Sequence, residues 1–506
     1  MSTTTVAATG DEDTGPPIST FAGTGDAGFS DDEGPAASAV LTHPYGVALD
    51  SAGTLYFSEF STHRVRKVTR DGNISTLAGS GEADYGGDEG PAVSAHLNYP
   101  RGVAVDSTGA VYIADAGNHR VRKIATDGTI STFAGTGTAG SSGDGALATA
   151  AELDRPYGVA VDSTGTVYIA DHNNHRIRKI TPDGNIRNFA GTGEAGSAGD
   201  GDAAESAQLN SPHAVAVDGA GAVYIADAGN HRVRKVAADG TISTVAGTGE
   251  AKFGGDGGAA DATQLNCPAA VAVDSSGCLY ICDQYNHRVR KVTADGKIST
   301  VTGTGAADFG GDDGPASSAQ LNSPLGLALD SIGTLYIADH INNRIRKIDS
   351  PRLPKSGTVV SWANVRSRLR IAVARESTKD GTEIHQALPV PRSHQRWRLV
   401  VVGQDNGEAL YRIDNVRSGK ALEVVGGQEW PGAVIAQRAY EGDDAHHQQW
   451  RLIPVGSATD APPQVYEIAN RNSGLLLQAD TNARAAIRQD GTDGHCRGRQ
   501  WQLLPV

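Results

Sequence analysis

Short apolar runs separated by turn residues fill residues 18–348 of the chain. One stretch reads GVAVD at 158–162, TVYIAD at 166–171, HRIRKI at 175–180 and IRNFAG at 186–191. The first two runs are apolar almost throughout, which is typical of strands covered on both faces. In HRIRKI apolar and polar residues alternate, which indicates a half-exposed strand. Because turn sequences such as DSTG and PDGN separate the runs, the pattern predicts a unit of four strands.

This unit recurs six times, and its period is 56 residues. Six repeated units of four strands predict an all-β fold, a six-bladed β-propeller. An ISTFAG run begins at Ile18, before the first unit, and no such run follows Ile348. We therefore expect the N-terminal strand to complete the last blade and to close the ring. The period is marked by the aspartates that end the VALD, VAVD and LALD tetrapeptides, which are Asp50, Asp106, Asp162, Asp218, Asp274 and Asp330.

The segment YIADHNNHRIRKI at 168–180 raises three functional interpretations: an Asp–His general base, a metal ligand with its carboxylate, or a basic strip for nucleic acid. However, Asp171 and His175 recur in nearly every unit at the same spacing. Residues spread around a ring cannot form one active site. We therefore expect both to be structural and to hold the turn between the second and third strands of their blade.

The NHRV and NHRI turns, the period and the strand order resemble those of the NHL-repeat family. The resemblance covers 18–348 and implies a six-bladed propeller. NHL propellers serve as protein- or RNA-binding platforms, and related six-bladed folds include lyases and hydrolases. Fold alone therefore does not settle the function.

Positions at which the units differ are candidates for ligand binding. At the entrance of the first strand, and after the shared acid of the second, the variable residues could line a polar mouth to the central channel. Three histidines there would suit zinc, as in six-bladed amidating lyases, but two of them are expected on opposite blades, too far apart to share one ion. The candidate mouth residues are Tyr45, Arg101, Tyr157, His172, His213 and His340.

The long loops between units, such as FGGDDGPASSA at 309–319, contain glycine and aspartate and could hold calcium. The alternative is a short helix that begins at the proline, with a nearby aspartate favouring its N-terminus. Because the loop occurs in six equivalent copies, a structural role is favoured over calcium binding. We therefore expect no cofactor, with Ca²⁺ and Zn²⁺ as the unsupported alternatives.

Charge and aromatic composition divide the chain. The first 355 residues carry 26 basic and 42 acidic residues, whereas the remainder carries 18 and 16. A strongly acidic body argues against nucleic acid as a partner. All eight Phe precede position 310, and all five Trp follow position 361. We therefore expect a propeller over 18–348, a linker over 349–357 and a second domain over 358–506.

The first 17 residues are expected to be a disordered acidic tail. They have neither the charged start nor the apolar run of a secretory signal, which predicts a cytoplasmic protein, with export by a non-standard route as the alternative. No apolar run of the chain is long enough for a membrane-spanning helix.

The C-terminal region contains its own repeat. Gln395-Arg396-Trp397 and Gln448-Gln449-Trp450 are followed by Arg499-Gln500-Trp501, and YRIDNVRSGKAL is echoed by YEIANRNSGLLL. Three β-rich units of this kind predict a β-trefoil. The Gln-x-Trp motif resembles the ricin-B-type lectin family over about 356–506.

That resemblance implies sugar binding by an acid after the first strand, a stacking ring, and amides before the Trp. A ring covers the apolar face of a sugar while acid and amide groups bind its hydroxyls. The middle unit matches best, although Glu replaces the Asp and His replaces the Asn. In the first unit Arg370 and Ala387 stand in the acid and ring positions. The candidate sugar-binding residues are Glu423, Tyr440, His447, Gln448 and, on a separate loop, Trp430.

The sequence thus favours a non-enzymatic, carbohydrate-recognising protein. Its trefoil would bind a glycan or polysaccharide, and its propeller would offer a loop face to a protein partner or a second ligand. One alternative is a lyase or hydrolase with its site in the propeller mouth, targeted to glycans by the trefoil. Another is a toxin or assembly component that docks through the trefoil.

Overall fold

The computed structural model divides the chain into two compact units, Met1–Asp349 and Ser350–Val506. All but the last two residues of the expected tail, and all but Asp349 of the expected linker, lie outside the described residues. No helix in the described part of the chain is long and apolar enough to cross a membrane. The described residues are 16–30, 34–274, 276–330, 333–349, 359–364, 370–374, 377–387, 395–405, 408–425, 434–441, 445–455, 465–470, 476–478, 488–490 and 500–505.

The N-terminal unit is a ring of six antiparallel sheets, which confirms the six-bladed propeller. The innermost strands are Pro44–Leu49, Pro100–Val105, Pro156–Val161, Ala214–Val217, Pro268–Val273 and Pro324–Leu329. The second strands are Leu55–Glu59, Val111–Asp115, Val167–Asp171, Val223–Asp227, Leu279–Asp283 and Leu335–Asp339. The third strands are Arg64–Val68, Arg120–Ile124, Arg176–Ile180, Arg232–Val236, Arg288–Val292 and Arg344–Ile348. The outer strands are Asn73–Ala78, Thr129–Ala134, Ile186–Ala190, Ile242–Ala246, Ile298–Thr302 and Ile18–Ala22.

The N-terminal strand closes the ring as expected. Ile18–Ala22 pairs antiparallel with the third strand of the last blade, with Ile18 opposite Ile348. Ile18 and Ala22 are fully buried, and the Phe21 ring meets the Tyr336 ring edge-on at 5.0 Å. The sixth sheet is therefore built from both ends of the propeller sequence.

In the third blade, burial follows the apolar pattern of the second strand but departs from the alternation of the third strand. Every residue of the second strand Val167–Asp171 is buried, as its apolar run indicated. The third strand Arg176–Ile180 is half-exposed at Arg176 and Lys179, but Arg178 is fully buried. Alternation alone did not reveal this buried arginine, because nothing in one strand shows which acids face it.

The loops between blades each contain one turn of 3₁₀ helix, so the expected short helix forms. In three of them a proline directly precedes the helix and is not its first residue. Two such loops also add a two-residue strand, Gly34–Pro35 and Gly90–Pro91, to an outer strand. The loop helices are Ala36–Ser38, Ala92–Ser94, Ala148–Ala150, Ala204–Ser206, Ala260–Ala262 and Ala316–Ser318. Further turns of 3₁₀ helix follow four second strands: Ala116–Asn118, His172–Asn174, Ala228–Asn230 and Gln284–Asn286.

The C-terminal unit is a β-trefoil. Six of its described strands pair into a closed antiparallel barrel. They are Val359–Asn364, Trp397–Asp405, Glu408–Asn415, Trp450–Val455, Val465–Asn470 and Gln500–Pro505. The other six form three hairpins: Arg370–Val373 with Thr382–Ala387, Ala421–Val424 with Ile435–Arg438, and Leu476–Gln478 with Arg488–Asp490. A turn of 3₁₀ helix, His446–Gln448, precedes the fourth barrel strand.

Tryptophans form the centre of this trefoil. Trp362, Trp397 and Trp450 are fully buried in one apolar cluster. The indole N–H of Trp397 donates to the Ile371 carbonyl at 3.2 Å, and that of Trp450 donates to the Leu422 carbonyl at 3.0 Å. The Trp of each Gln-x-Trp motif therefore ties its barrel strand to the hairpin of the same unit.

Candidate functional site

The repeated acid and histidine of the propeller are structural, but they reach different parts of the fold. Asp171 accepts hydrogen bonds from the Asp154 N–H and the Asn174 amide, both at 2.8 Å, so it fixes the turn of its own blade. His175 has a left-handed backbone (φ 53°), and its Nδ1 accepts from the Ser211 N–H of the next blade at 3.0 Å. The expectation that His175 holds its own blade's turn was therefore incomplete, because the imidazole joins neighbouring blades.

The six arginines in the middle of the third strands are fully buried, and each pairs with the acid that ends the second strand of its own blade. Arg178 lies 3.5 Å from Asp171 and 2.8 Å from Asp144, a residue of the inter-blade loop. The equivalent loop aspartates Asp200, Asp256 and Asp312 pair with their own blade's arginine at 2.6 to 2.9 Å. These loop carboxylates therefore clamp the loops onto the blades, and much of their charge is balanced by buried guanidinium groups.

The candidate mouth residues fall into two groups. On one side, the His172 ring stacks on the Tyr157 ring at 3.7 Å, and His213 lies 5.0 Å from His172. On the other, the His340 ring meets the Tyr45 ring edge-on at 6.0 Å. Aromatic contact fixes the rings of each group, and His172 and His340 do not touch.

Arg101 lies between the two groups. Its guanidinium carbon is 3.7 Å from the centre of the Tyr157 ring and 4.7 Å from the centres of the Tyr45 and Phe60 rings. No ion pair joins Arg101 to an acid within the described residues. Ring faces attract a cation, but more weakly than a carboxylate does, so the charge of Arg101 remains available to a ligand.

The imidazoles of the mouth are neutral near pH 7. Burial lowers the pKa of His172 and of His340 to about 4, although each Nδ1 lies within hydrogen-bond distance of a proline carbonyl. Burial also lowers the pKa of His213 far below its usual value, and the charge of Arg101 lowers it further. Burial raises the pKa of Tyr45, an effect that Arg101 partly offsets. Arg101 is thus the one charged group among the described residues that line the mouth.

A cavity of about 330 Å³ opens at this mouth. Close approach of the innermost strands narrows the channel beneath it to a space of about 70 Å³. An added Cβ at Gly158 would lie 2.7 Å from the Ala214 Cα, and one at Gly46 would lie 2.4 Å from the Arg101 carbonyl oxygen. The cavity therefore has a tight floor, which suits a small ligand. It is lined by Tyr45, Phe60, Arg101, Tyr157, His213, Cys267, Gln284, Tyr285, Leu325 and His340.

His172 stacks on Tyr157 and does not line the cavity. Five of the lining residues are absent from the sequence-based candidates: Phe60, Cys267, Gln284, Tyr285 and Leu325. Cys267 directly precedes the innermost strand and has a left-handed backbone (φ 54°), like its equivalents in the other blades. The 56-residue alignment could have revealed Cys267, since that position also varies among the units. Within the described residues, no cluster of three or more His, Cys, Asp or Glu side chains could hold a metal ion.

In the trefoil, Glu423 and His447 of the candidate sugar site come together. Glu423 is fully buried, and the Arg438 Nε donates to both of its carboxylate oxygens at 2.8 and 3.0 Å. The His447 Nε2 lies 3.8 Å from a carboxylate oxygen of Glu423 and 3.8 Å from one of Glu441. Arg438 was not among the candidates, yet hairpin register predicts its place: Glu423 pairs with Ala436, so Arg438 is the diagonal neighbour on the same face.

Tyr440 and Gln448 have different surroundings. The Tyr440 ring has the Arg412 guanidinium 4.6 Å from its centre, and its hydroxyl accepts from the Gln449 amide at 3.4 Å. Gln448 is fully buried, donates to the Ala439 carbonyl at 3.0 Å and accepts from the Glu441 N–H at 3.0 Å. Gln448 therefore shapes the turn that carries Tyr440. Trp430 lies outside the described residues.

Comparisons with known proteins agree with this architecture. Residues 352–438 match the ricin-type beta-trefoil lectin domain-like family, residues 81–142 and 192–253 match the teneurin NHL domain, and residues 153–180 and 265–292 match the NHL repeat. The chain is similar to the chloroplastic protein SUPPRESSOR OF QUENCHING 1 of Arabidopsis thaliana (30% identity, 62% of this chain, 31% of that protein). It is also similar to human teneurin-4 (30% identity, 61% of this chain, 12% of that protein). The chain thus spans less than a third of these relatives' length.

Among solved structures, a Bacteroides thetaiotaomicron protein of unknown function shares the fold, with 21% identity and a TM-score of 0.50. The match covers 65% of this chain and 75% of that one. The matched repeats, the six blades and the barrel with its three hairpins lead to one conclusion. The chain folds as a six-bladed β-propeller that contains segments similar to NHL repeats, followed by a β-trefoil that contains a segment similar to the ricin-type beta-trefoil lectin domain-like family.

Proposed function

We propose that this protein recognises carbohydrate without acting on it, and that the middle unit of the trefoil binds the glycan. The observation that carries the proposal is the polar cluster of Glu423, Arg438 and His447, together with the Tyr440 ring, which follows Arg438 by two residues. A sugar offers hydroxyls that need both donors and acceptors, together with an apolar face that packs on a ring. The cluster and Tyr440 together supply hydrogen-bond donors, acceptors and a ring within one hairpin and the turn next to it.

The ion pair assigns a role to each member. Glu423 is buried and holds Arg438, whose side chain is 40% exposed. We therefore assign sugar contact to the outer N–H groups of Arg438 and to His447, while the Glu423 carboxylate fixes the direction of the guanidinium. A planar guanidinium held by a carboxylate loses little conformational entropy when a ligand binds. Where the family has an Asp that binds the sugar directly, Glu423 would instead hold Arg438, and the N–H groups of Arg438 would bind the sugar.

The propeller has a separate role in this proposal. Six blades, each joined to the next by a histidine or asparagine contact, give a rigid ring with a variable loop face. Loops held on a rigid scaffold are the usual place for binding residues. We assign this face to a protein partner or a second ligand.

Replacement of Tyr440 by Ala in the full-length protein is expected to weaken glycan binding roughly tenfold, because the stacking surface is lost. Tyr440→Phe is expected to bind like the wild type, since the ring remains. The matched control is Tyr99→Ala, which removes a propeller tyrosine that is 44% exposed and does not line the mouth cavity. Calorimetric titration with a glycan that the wild-type protein binds measures the affinity of all three variants. A Tyr440→Ala protein of wild-type affinity would contradict the assignment.

A further inference from the structure

The cavity at the propeller mouth has features that the trefoil proposal does not use. The Arg101 guanidinium lies over three aromatic rings, and no ion pair with a carboxylate is found for it among the described residues. A cation that is partly withdrawn from water and lacks a counter-charge favours an anionic ligand. A carboxylate suits it well, because the guanidinium can donate two parallel hydrogen bonds to its two oxygens.

Polar atoms in the same lining lack partners. The Gln284 Oε1 is buried and has no hydrogen-bond partner within the described residues, and the same is true of the His213 Nδ1. Gln284 is 9% exposed as a whole residue. A buried carbonyl oxygen without a donor is costly, so rotation of the Gln284 amide toward the cavity, where a ligand hydroxyl can donate to its oxygen, is favoured. The ligand should therefore carry hydroxyl groups as well as a negative charge.

The size of the cavity and its apolar surface narrow the class of ligand further. A volume of about 330 Å³ is in the range of small-molecule sites, and the tight floor excludes a chain threaded through the ring. Tyr45, Phe60 and Leu325 supply apolar surface to the same cavity. We infer that the propeller mouth binds a small hydroxylated carboxylate of the acid-sugar class, with its carboxylate on Arg101 and a hydroxyl on Gln284. This inference is independent of glycan binding by the trefoil.

Calorimetric titration of the full-length protein with sodium glucuronate tests it, with glucose and benzoate as comparison ligands. Glucose has the hydroxyls without the charge, and benzoate has the carboxylate without the hydroxyls. We expect glucuronate to bind most tightly, and we expect Arg101→Gln to weaken it about tenfold or more. The matched control is Arg155→Gln, which changes an exposed arginine that does not line the cavity.

Gln284→Met is the second variant, because it keeps the volume of the side chain and removes the amide. It should weaken glucuronate roughly fivefold and leave benzoate unchanged. Melting temperatures within a few degrees of the wild type verify that both variants fold. Equal binding of glucose and glucuronate, or wild-type affinity in Arg101→Gln, would overturn the anion site. Unchanged glucuronate binding in Gln284→Met would overturn the hydroxyl contact. Retention of glucuronate binding by Tyr440→Ala separates this site from the trefoil.

Discussion

A protein that lacks residues 1–22 is expected to lose the closed propeller, with a loss of unfolding free energy on the order of 5 kcal/mol. The deletion removes the strand that pairs with Arg344–Ile348. It also removes the buried Ile18 and the Phe21 ring that packs against Tyr336. The third strand of the last blade would then be an unpaired edge, which favours aggregation. Thermal unfolding followed by circular dichroism, together with light scattering, measures both effects.

The matched control removes residues 2–14 and keeps every described contact of the strand. Those contacts begin at Pro16, whose carbonyl accepts from the Ala316 N–H at 3.0 Å. The control is expected to melt with the wild-type protein. If the longer deletion also melts at the wild-type temperature, the N-terminal strand does not close the ring.

Replacement of Arg178 by Leu is expected to cost about 3–5 kcal/mol of stability at neutral pH. Arg178 is fully buried between Asp171 and Asp144, and its loss leaves the buried Asp171 carboxylate without its cation. Urea unfolding of the full-length variant measures the change. The control is Arg187→Leu in the outer strand of the same blade, where the side chain is exposed and a loss within about 0.5 kcal/mol is expected.

The pH dependence distinguishes a missing charge partner from a simple packing defect. Burial already raises the pKa of Asp171 to about 6, and Arg178 opposes that rise, so the Leu variant should raise it further. A carboxyl group whose pKa is higher in the folded state than in the unfolded state stabilises the fold below its unfolded pKa. This stability is lost as the pH rises through the folded pKa. The penalty of Arg178→Leu should therefore be smaller at pH 5 than at pH 8. An equal penalty at both values would assign it to packing alone.

Repetition made the propeller predictable from sequence. The 56-residue period gave the strands, the number of blades and the closing strand, because each depends on local apolar pattern and on counting. The partners of the repeated polar residues were less accessible. His175 binds the N–H of Ser211, 36 residues onward in the next blade. Arg178 binds Asp144, 34 residues earlier in a loop. Alternation within one strand carries no information about contacts that depend on how a loop folds over its blade.

The two candidate sites differ in the same way. Variable positions in the repeat indicated that Tyr45, Arg101 and Tyr157 lie at the mouth. The position of the Arg101 charge between aromatic rings was not predictable, because the rings come from the neighbouring blades. In the trefoil, the family motif indicated Glu423, whereas the ion pair between Glu423 and Arg438 depends on the register of the hairpin. Register could have been inferred from the strand sequences. The neutral state of His172 and His340 could not, because it results from burial in the assembled ring.

The central claim is that the trefoil of this chain binds glycan, and a glycan-array screen of the full-length protein tests it most directly. The account predicts binding to a group of glycans that share one terminal sugar, because a single cluster around Arg438 and Tyr440 selects one arrangement of hydroxyls. Absence of binding across an array that covers the common neutral and acidic sugars would contradict the claim.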